Sequence, residues 1–410
     1  MLVGPDSWRR SIVPFGILTL CTACSREVME DVGQPDIGRT VAGLEIRGGG
    51  QIIDRDGKRY ILRKRNVRRV DPPKDRHITR RSRGDETPIK EMSVVELAEA
   101  LRPVMLVGND EYILETPDEE FARKVISDLR TNKRFDISRS SYGTEPSPDQ
   151  HTSSHSKKHF CCGADERVTI RNNTDWPFRT TIAMATPPAG QPPSWATAGP
   201  TCTMQLIGPS TALSAAHCFG NFSGWFPLAM WGAGPDGQDP GGPIPAGYPQ
   251  DYGCYWVDIP WQYWVPGAGG PGSQWDFASI DFRNLPPGCN ETPGNIVGWV
   301  RWANLSGQFN SGWAHGVPGL TAMETPEPFY PQIKNMFIPT ALETPQALIR
   351  STNDSNKAQS GQAFFTTDPS NGLYTVAGTH HGHWGSSTVF MQERVLDATV
   401  ANWIILNTEY

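Results

Sequence analysis

The chain has 410 residues, a net charge of −6, 41 glycines and 36 prolines. That length suits two or three domains, and so many glycines and prolines favour short strands and turns over long helices. All but one of the 14 tryptophans lie after residue 165, where acidic residues also outnumber basic ones. An aromatic-rich, acidic body of this kind provides no support for nucleic-acid binding.

The first 24 residues have the pattern of an export signal. Arg9 and Arg10 form the positive region, the apolar run from Ile12 to Leu20 follows, and small residues precede Cys24. The run is too short to cross a bilayer, and no later stretch reaches 18 apolar residues. We therefore expect a secreted, extracellular protein with no membrane span. A lipid-anchored form held at the cell surface through Cys24 is the alternative.

Residues 25–165 are predicted to form a small α/β pro-segment that ends in a linker. Strand-like residues around a turn at 54–57 predict a hairpin from Gln51 to Leu62. Apolar residues at helical spacing predict a helix from Met92 to Leu101, and a capping signature headed by Thr116 predicts a second helix that ends near Leu129. Short strands are expected at 104–107 and 112–114, and the Ser-, Lys- and His-rich stretch 131–158 is the predicted linker.

Two basic runs interrupt this segment, RKRNVRR at 63–69 and RRSR at 80–83. Each is interpreted either as a solvated strip of flexible chain or as a recognition site for a processing protease. The solvated strip is the simpler interpretation.

From residue 166 to 410, short apolar stretches are broken repeatedly by glycine or proline. This pattern predicts an all-β body of two packed antiparallel β-barrels. None of the eight cysteines belongs to a zinc-finger pattern, which favours disulfides and an oxidising compartment. Cys254 and Cys289 are one candidate pair, and the partners of Cys161 and Cys162 stay open.

The stretch Cys202–Gly220, CTMQLIGPSTALSAAHCFG, predicts a strand, a tight turn and a second strand that leads into a histidine. Two cysteines that flank a hairpin can staple it, and His217 is the neighbour of Cys218. A histidine held firmly in this way suits a general base. A structural disulfide beside a core histidine is the non-catalytic alternative.

Two further residues complete a nucleophilic constellation, since a serine hydroxyl needs a base and the base needs an orienting acceptor. Asp276 stands among apolar residues in QWDFASI, so its carboxylate should be buried against a partner such as a histidine N–H. Ser360 in AQSGQAFF precedes a glycine and an apolar strand, which predicts an exposed hydroxyl at a tight turn. Asp281 is the second choice for the acid, and three other serines followed by glycine are discounted because no strand and Gly-x-His motif follows them: Ser223, Ser306 and Ser311.

The motif Ser214-Ala215-Ala216-His217-Cys218 resembles the histidine motif of the chymotrypsin-fold serine peptidases. The chain order His217, Asp276, Ser360 is also the order of that family. The resemblance covers roughly 167–410 and implies that Cys202 pairs with Cys218. It further implies that His217 is the base, Asp276 its orienter and Ser360 the nucleophile.

The serine motif departs from the family at two positions. The resemblance implies that the backbone N–H groups of Ala358 and Ser360 form the oxyanion hole, but the family usually has glycine where Ala358 stands. A positive φ there would cost a non-glycine residue about 1–2 kcal/mol. The proline that usually follows the Ser-Gly pair is replaced by Ala363. A slow or inactive relative is therefore an open alternative.

Substrate preference is inferred from Gly378-Thr379-His380, which resembles the Gly-x-His motif of the glutamyl endopeptidases. With Ser355, five residues before the nucleophile, His380 is implied to bind a glutamate side chain through charge-assisted hydrogen bonds. Asp354 argues instead for lysine or arginine. A metal cluster of His380, His381 and His383 is a weaker alternative, because no carboxylate or thiolate joins them at close spacing.

Together these patterns predict a secreted serine endopeptidase that is made as a zymogen, cleaves after Glu and matures by cleavage near Glu166. We expect a monomer that acts on protein or peptide substrates, with neither a cofactor nor a metal. The first alternative is a catalytically impaired binding protein on a protease fold. An esterase that uses the same triad is the second.

Overall fold

The structure is a computed structural model of the whole chain. It describes residues 40–41, 44–47, 50–54, 57–71, 87–137, 152–153, 168–170, 176–187, 192–195, 198, 200–235, 244, 246–283, 289, 292–304, 311–317, 332–337, 342–343, 348–351, 358–368, 370–383 and 391–407. The predicted export signal 1–24, the basic run 80–83, and Cys161 and Cys162 lie outside the described residues.

An antiparallel sheet and two helices form the N-terminal region, which we define as residues 44–137. The predicted hairpin is confirmed, with Gln51 opposite Ile61, and so are both predicted helices and both predicted strands. The strands run in the order β1-β2-β3-β4-β6-β5. Their bounds are β1 Thr40–Val41, β2 Leu44–Arg47, β3 Gln51–Ile53, β4 Arg59–Lys64, β5 Pro103–Val107 and β6 Asp110–Leu114, with α1 Val94–Ala100 and α2 Glu119–Arg130.

Both helices begin at a side-chain cap. Ser93 and Glu96 form a reciprocal capping box at the start of α1. The predicted cap of α2, Thr116, is wrong: Asp118 caps the helix by accepting a hydrogen bond of 2.8 Å from the Phe121 amide. The side chain of a capping residue accepts a hydrogen bond from an amide two or three residues later in the chain. Asp118 is three residues before Phe121, whereas Thr116 is five residues before it.

The described part of the body contains two large antiparallel sheets and the separate two-stranded sheet of β13 and β14, with one short parallel contact between β19 and β25. The first sheet runs β17-β18-β12-β11-β10-β15-β16, and the second runs β22-β23-β26-β25-β24-β20-β21-β9-β8. This mostly β, antiparallel architecture agrees with the chymotrypsin-like all-β fold predicted from the sequence. The strands are β7 Asp136–Ile137, β8 Thr152–Ser153, β9 Val168–Thr169, β10 Thr181–Ala185, β11 Pro200–Leu206, β12 Thr211–Ser214, β13 Gly220–Asn221, β14 Gly224–Trp225, β15 Met230–Ala233, β16 Gln250–Tyr252, β17 Trp256–Pro260, β18 Ala278–Asp281, β19 Trp302–Ala303, β20 Ser311–Gly316, β21 Gln332–Phe337, β22 Leu342–Glu343, β23 Leu348–Ser351, β24 Ala363–Thr367, β25 Tyr374–His383 and β26 Met391–Val395.

Two helices complete the body, α3 Pro293–Val297 and α4 Ala398–Asn407. Helix α4 buries Trp403, whose ring meets Phe277 edge to face at 5.8 Å between centroids. Because Phe277 directly follows Asp276, this ring contact helps to hold the backbone at Asp276 in place.

The N-terminal sheet continues into the first sheet of the body. Strand β5 pairs antiparallel with β17, where Val104 lies opposite Ile259. Residues of both regions also share one hydrophobic core. The interpretation of 63–69 as a solvated strip is wrong for Arg63, whose guanidinium lies 4.2 Å from the ring centre of Trp261. Long side chains can cover apolar surface in this way while they remain partly hydrated.

Within the described residues, none of the helices combines the length and the apolar character needed to cross a bilayer.

Asp258 on β17 is buried beside the junction of the two regions. Its Oδ1 atom has no hydrogen-bond partner among the described residues. Burial raises the pKa of Asp258 to about 7; Lys58 opposes this rise, Asp281 and Asp54 add to it, and Arg283 opposes it. The folded chain therefore favours the protonated acid.

We expect Asp258→Asn to remove part of the pH dependence of folding. Since the folded pKa lies above the ordinary value of 3.8, the stability that this group contributes is complete below about pH 4 and is lost as the pH rises through about 7. The variant should exceed the native chain in unfolding free energy by on the order of 2 kcal/mol at about pH 8, and by little at about pH 4.

Urea unfolding at both pH values measures the difference. The exposed Asp71→Asn variant is the control and should match the native chain throughout. Equal stabilities of the Asp258 variant and the native chain at about pH 8 would contradict the assignment.

Candidate active site

His217 lies in a single 3-10 turn, Ala216–Cys218, directly after the hairpin of β11 and β12. Cys202 of β11 forms a disulfide with Cys218, as predicted, and their Cα atoms are 5.8 Å apart. Cys254 and Cys289 form a second disulfide. The histidine is only 4 % exposed. The backbone on both sides of it is thus tied to a core strand.

The structure brings His217 and Asp276 together through two hydrogen bonds. The His217 amide donates to Oδ1 of Asp276 at 2.9 Å, and Nδ1 of the ring lies 2.8 Å from Oδ2. The Gly272 amide donates to the same Oδ2 atom at 2.6 Å. Since an ionised carboxylate only accepts hydrogen bonds, Nδ1 carries a proton, and in the neutral ring Nε2 is left as an acceptor.

Asp276 remains ionised although it is fully buried. Burial alone would raise its pKa, but the electrostatic interactions with His217 and His381 and the hydrogen bonds from His217 and Gly272 lower that pKa to about 2. The other candidate acid, Asp281, forms an ion pair with Arg283 at 2.7 Å. It lies opposite Thr211, at the end of β12 remote from the histidine turn.

Ser360 lies on a turn that is bonded to the strand carrying Cys202. The Thr203 amide donates to the Ser360 carbonyl oxygen at 2.9 Å, and Sγ of Cys218 lies 3.6 Å from that oxygen. Ser360 is partly exposed. Nε2 of His217 has no hydrogen-bond partner in the described part of the chain, so the serine hydroxyl is not bonded to it in this conformation.

Gly361, directly after Ser360, and Ala358, two residues before it, have left-handed backbone. Gly361 has φ +79°, and a Cβ atom there would collide with Oγ of Ser214 and with the carbonyl oxygen of Thr203. Ala358 has φ +68°, the conformation expected to be strained in a non-glycine residue. Its carbonyl oxygen accepts a hydrogen bond of 3.0 Å from Oγ1 of Thr203. The packing thus holds Ala358 in the place of the usual glycine.

The predicted substrate-binding residues are only partly described. Ser355 and Asp354 lie outside the described residues. His380 is 2 % exposed on β25, and its carbonyl oxygen accepts a hydrogen bond of 2.9 Å from the Gly361 amide. The backbone of His380 is therefore linked to the serine turn.

The sequence interpretation missed His381 as a neighbour of His217. Its ring is fully buried and stands perpendicular to the ring of His217 at 6.5 Å between centroids. Neither ring nitrogen has a hydrogen-bond partner among the described residues, and burial lowers the pKa of His381 to about 3. His381 lies at an irregularity in the pairing of β25 with β26, between His380 and Gly382, and both His380 and His381 are buried.

Two groups of possible metal donors occur among the described residues, and the predicted histidine cluster is not one of them. Both groups contain two cysteines that are joined in a disulfide: Cys202 and Cys218 with His217, and Cys254 and Cys289 with Asp251. A disulfide sulfur is not a thiolate, the form in which cysteine binds zinc. Neither group therefore offers a three-ligand site in this redox state.

Comparison with known proteins yields distant relatives. No protein-family model matches the chain. An "Extracellular metalloprotease" of Bacillus subtilis (strain 168) is 27% identical over 165 residues, which is 40% of this chain and 45% of that relative. The chain thus matches less than half of the length of this curated relative.

Among solved structures, one described as "Structure of Glu endopeptidase in complex with MPD" matches with a TM-score of 0.45 and 20% identity, over 60% of this chain and 98% of that chain. It comes from the branch of peptidases that the sequence motifs resemble. A TM-score this low carries no argument about site or substrate.

We expect Gly361→Ala to disrupt the serine turn, because the added methyl group meets Ser214 and Thr203 as well as the unfavourable φ. The unfolding free energy should fall by about 3 kcal/mol. Gly372→Ala is the matched control, since Gly372 has φ +72° but no atom within 4 Å of the added Cβ. That control should lose only about 1 kcal/mol. Equal losses in urea unfolding would show that Gly361 is not closely packed.

Proposed function

We propose that the protein is a secreted serine endopeptidase that hydrolyses peptide bonds through His217, Asp276 and Ser360. The observation that carries this proposal is the buried, ionised Asp276 bonded to Nδ1 of His217. The Ser360 turn is bonded to β11, the strand whose Cys202 is joined to the histidine turn. The two disulfides and the extracellular protease among its relatives support secretion. Residues 25–165 would precede the catalytic body of 166–410 as the zymogen segment.

In the proposed reaction, Oγ of Ser360 attacks the carbonyl carbon of the scissile peptide bond. Nε2 of His217 accepts the hydroxyl proton, and Asp276 stabilises the imidazolium that forms. The backbone N–H groups of Ala358 and Ser360 are the proposed donors to the oxyanion. His217 then protonates the leaving amine, and water that it activates releases the acyl group from Ser360.

Because Nε2 of His217 has no hydrogen-bond partner among the described residues, the proposed reaction requires the Ser360 hydroxyl to bond to it when substrate binds. Contacts of this kind are often long in free enzymes and shorten when substrate binds. The unpartnered Nε2 atom of His217 and the strained Ala358 also favour a second candidate function, a binding protein whose serine is not activated. A probe of serine reactivity separates the two.

We expect a fluorophosphonate probe to label the native chain and the Ser223→Ala variant but not Ser360→Ala. Ser223 is the matched control because a glycine also follows it and its side chain is exposed. Asp276→Asn should reduce hydrolysis by about 10⁴-fold, since the histidine then takes the wrong tautomer. A native chain that the probe does not label would favour the binding protein.

Because the curated relative is described as a metalloprotease, a second arm of this experiment tests whether hydrolysis depends on a metal. Hydrolysis by the native chain is measured with and without a metal chelator. Serine catalysis predicts unchanged rates, whereas loss of hydrolysis together with full activity of Ser360→Ala would refute the triad.

For the proposed preference for Glu, the expected result is cleavage after Glu in a peptide library, with His380 as a donor to the substrate carboxylate. His380→Ala should lower kcat/KM for a Glu peptide about 10- to 100-fold, the effect of losing a hydrogen bond to a charged group. The matched Gln peptide tests whether the loss depends on that charge and should be affected less. Preferred cleavage after Lys or Arg would contradict this preference and favour a role for Asp354.

A further inference from the structure

The N-terminal region is joined to the body by main-chain pairing as well as by side chains. Strand β5 completes the ladder of β17, and the Trp261 amide donates to the Arg102 carbonyl oxygen at 2.8 Å where the two strands end. Without β5, strand β17 would be an unpaired edge of the first sheet. Exposed strand edges of this kind promote aggregation, and proteins normally cover them.

A buried carboxylate connects the two regions near the candidate active site. Glu111 of β6 is 1 % exposed, forms an ion pair with Arg63, and accepts a hydrogen bond of 2.8 Å from Nε1 of Trp225. Trp225 is 1 % exposed and ends the small hairpin that follows His217. The Val70 amide adds a bond of 2.9 Å to the Trp225 carbonyl oxygen. Departure of the N-terminal region would leave the buried indole N–H without this partner.

The second sheet holds the other end of the N-terminal region. Arg134 forms an ion pair with Asp368, a fully buried residue that also binds Arg301 at 2.9 Å. Asn304, 2 % exposed, donates to the Lys133 carbonyl oxygen at 2.7 Å and accepts from the Phe135 amide. This contact shares no residue with the one at Trp225.

Helix α2 packs on the C-terminal helix of the body between these two contacts. Oδ2 of Asp128 accepts a hydrogen bond of 3.0 Å from the side-chain Nδ2 of Asn402, and Asn402 is 2 % exposed. Ala122 and Val125 are fully buried on the same helix and belong to the core that includes Trp403. The shared interface therefore combines buried apolar contacts with hydrogen bonds at several separate points.

From these contacts we propose that the N-terminal region stays bound to the body after the chain is cut between 138 and 166, so that the processed protein consists of two non-covalently associated chains. The partner of the body surface formed by β17, Trp225, Asp368 and α4 is thus the protein's own residues 44–137. This inference goes beyond the proposed peptidase activity and does not depend on it. A pro-segment would normally dissociate after cleavage, whereas here the N-terminal region is proposed to remain bound as a subunit.

The test uses the full chain carrying Ser360→Ala, so that binding is measured without any self-cleavage. A recognition sequence for a site-specific protease is inserted between Pro146 and Ser147, and the purified protein is cut and passed over a gel-filtration column. We expect both pieces to elute together at the position of the uncut protein. A non-reducing denaturing gel must separate them, which shows that no disulfide holds them together.

Elution as two separate pieces in native buffer would overturn the proposal, whatever the activity of the native chain. Glu111→Ala in the same cut protein should weaken the association at least about 100-fold, because it leaves buried polar groups unpaired. Glu45→Ala is the matched control, since Glu45 is exposed on the same sheet and pairs only with the exposed Arg47 among the described residues. An equal effect of the two substitutions would show that Glu111 does not hold the regions together.

Discussion

The hydrogen-bonded pair of Asp276 and His217 is the interaction on which the arrangement of the body depends. Burying an ionised carboxylate away from water costs free energy unless hydrogen-bond donors surround it. Asp276 has three such donors, the His217 amide, the His217 ring and the Gly272 amide. Each donor comes from a turn whose position is set by neighbouring packing. The disulfide of Cys202 and Cys218 fixes one turn, and the contact of Phe277 with Trp403 fixes the other.

The turn that carries Ser360, the proposed nucleophile, is linked to this pair through its backbone rather than through the serine side chain. The turn at Ser360 is bonded to Thr203, one residue after the disulfide-bonded Cys202. The positions of His217 and Ser360 are therefore both set by strand β11. Gly361 permits that approach because any side chain there would meet the strand. The Ser360 turn is therefore positioned beside the histidine turn by main-chain contacts.

Local pattern was sufficient for much of this structure and insufficient for the rest. The hairpin before His217 and the acid among apolar residues were predicted because each leaves a signature within about ten residues of sequence. The disulfide of Cys202 and Cys218, which are 16 residues apart, was implied by the family resemblance. The contacts of Arg63 with Trp261 and of Glu111 with Trp225 join residues far apart in the chain, and no period or motif encodes them. The contact of His381 with His217 was missed for the same reason, since it joins residues far apart in the chain.

Two buried aspartates of the body show why burial alone does not decide protonation. Asp276 and Asp258 are both removed from water, yet the pKa of the first is lowered to about 2 and that of the second is raised to about 7. Asp276 accepts three hydrogen bonds, whereas one oxygen of Asp258 has no partner among the described residues. Charge in this core is thus stabilised only where turns supply donors. Because Asp276 stays ionised across the neutral range, the proton that His217 accepts from Ser360 in the proposed reaction stays on the imidazolium, and the acid holds the ring without taking a proton from it.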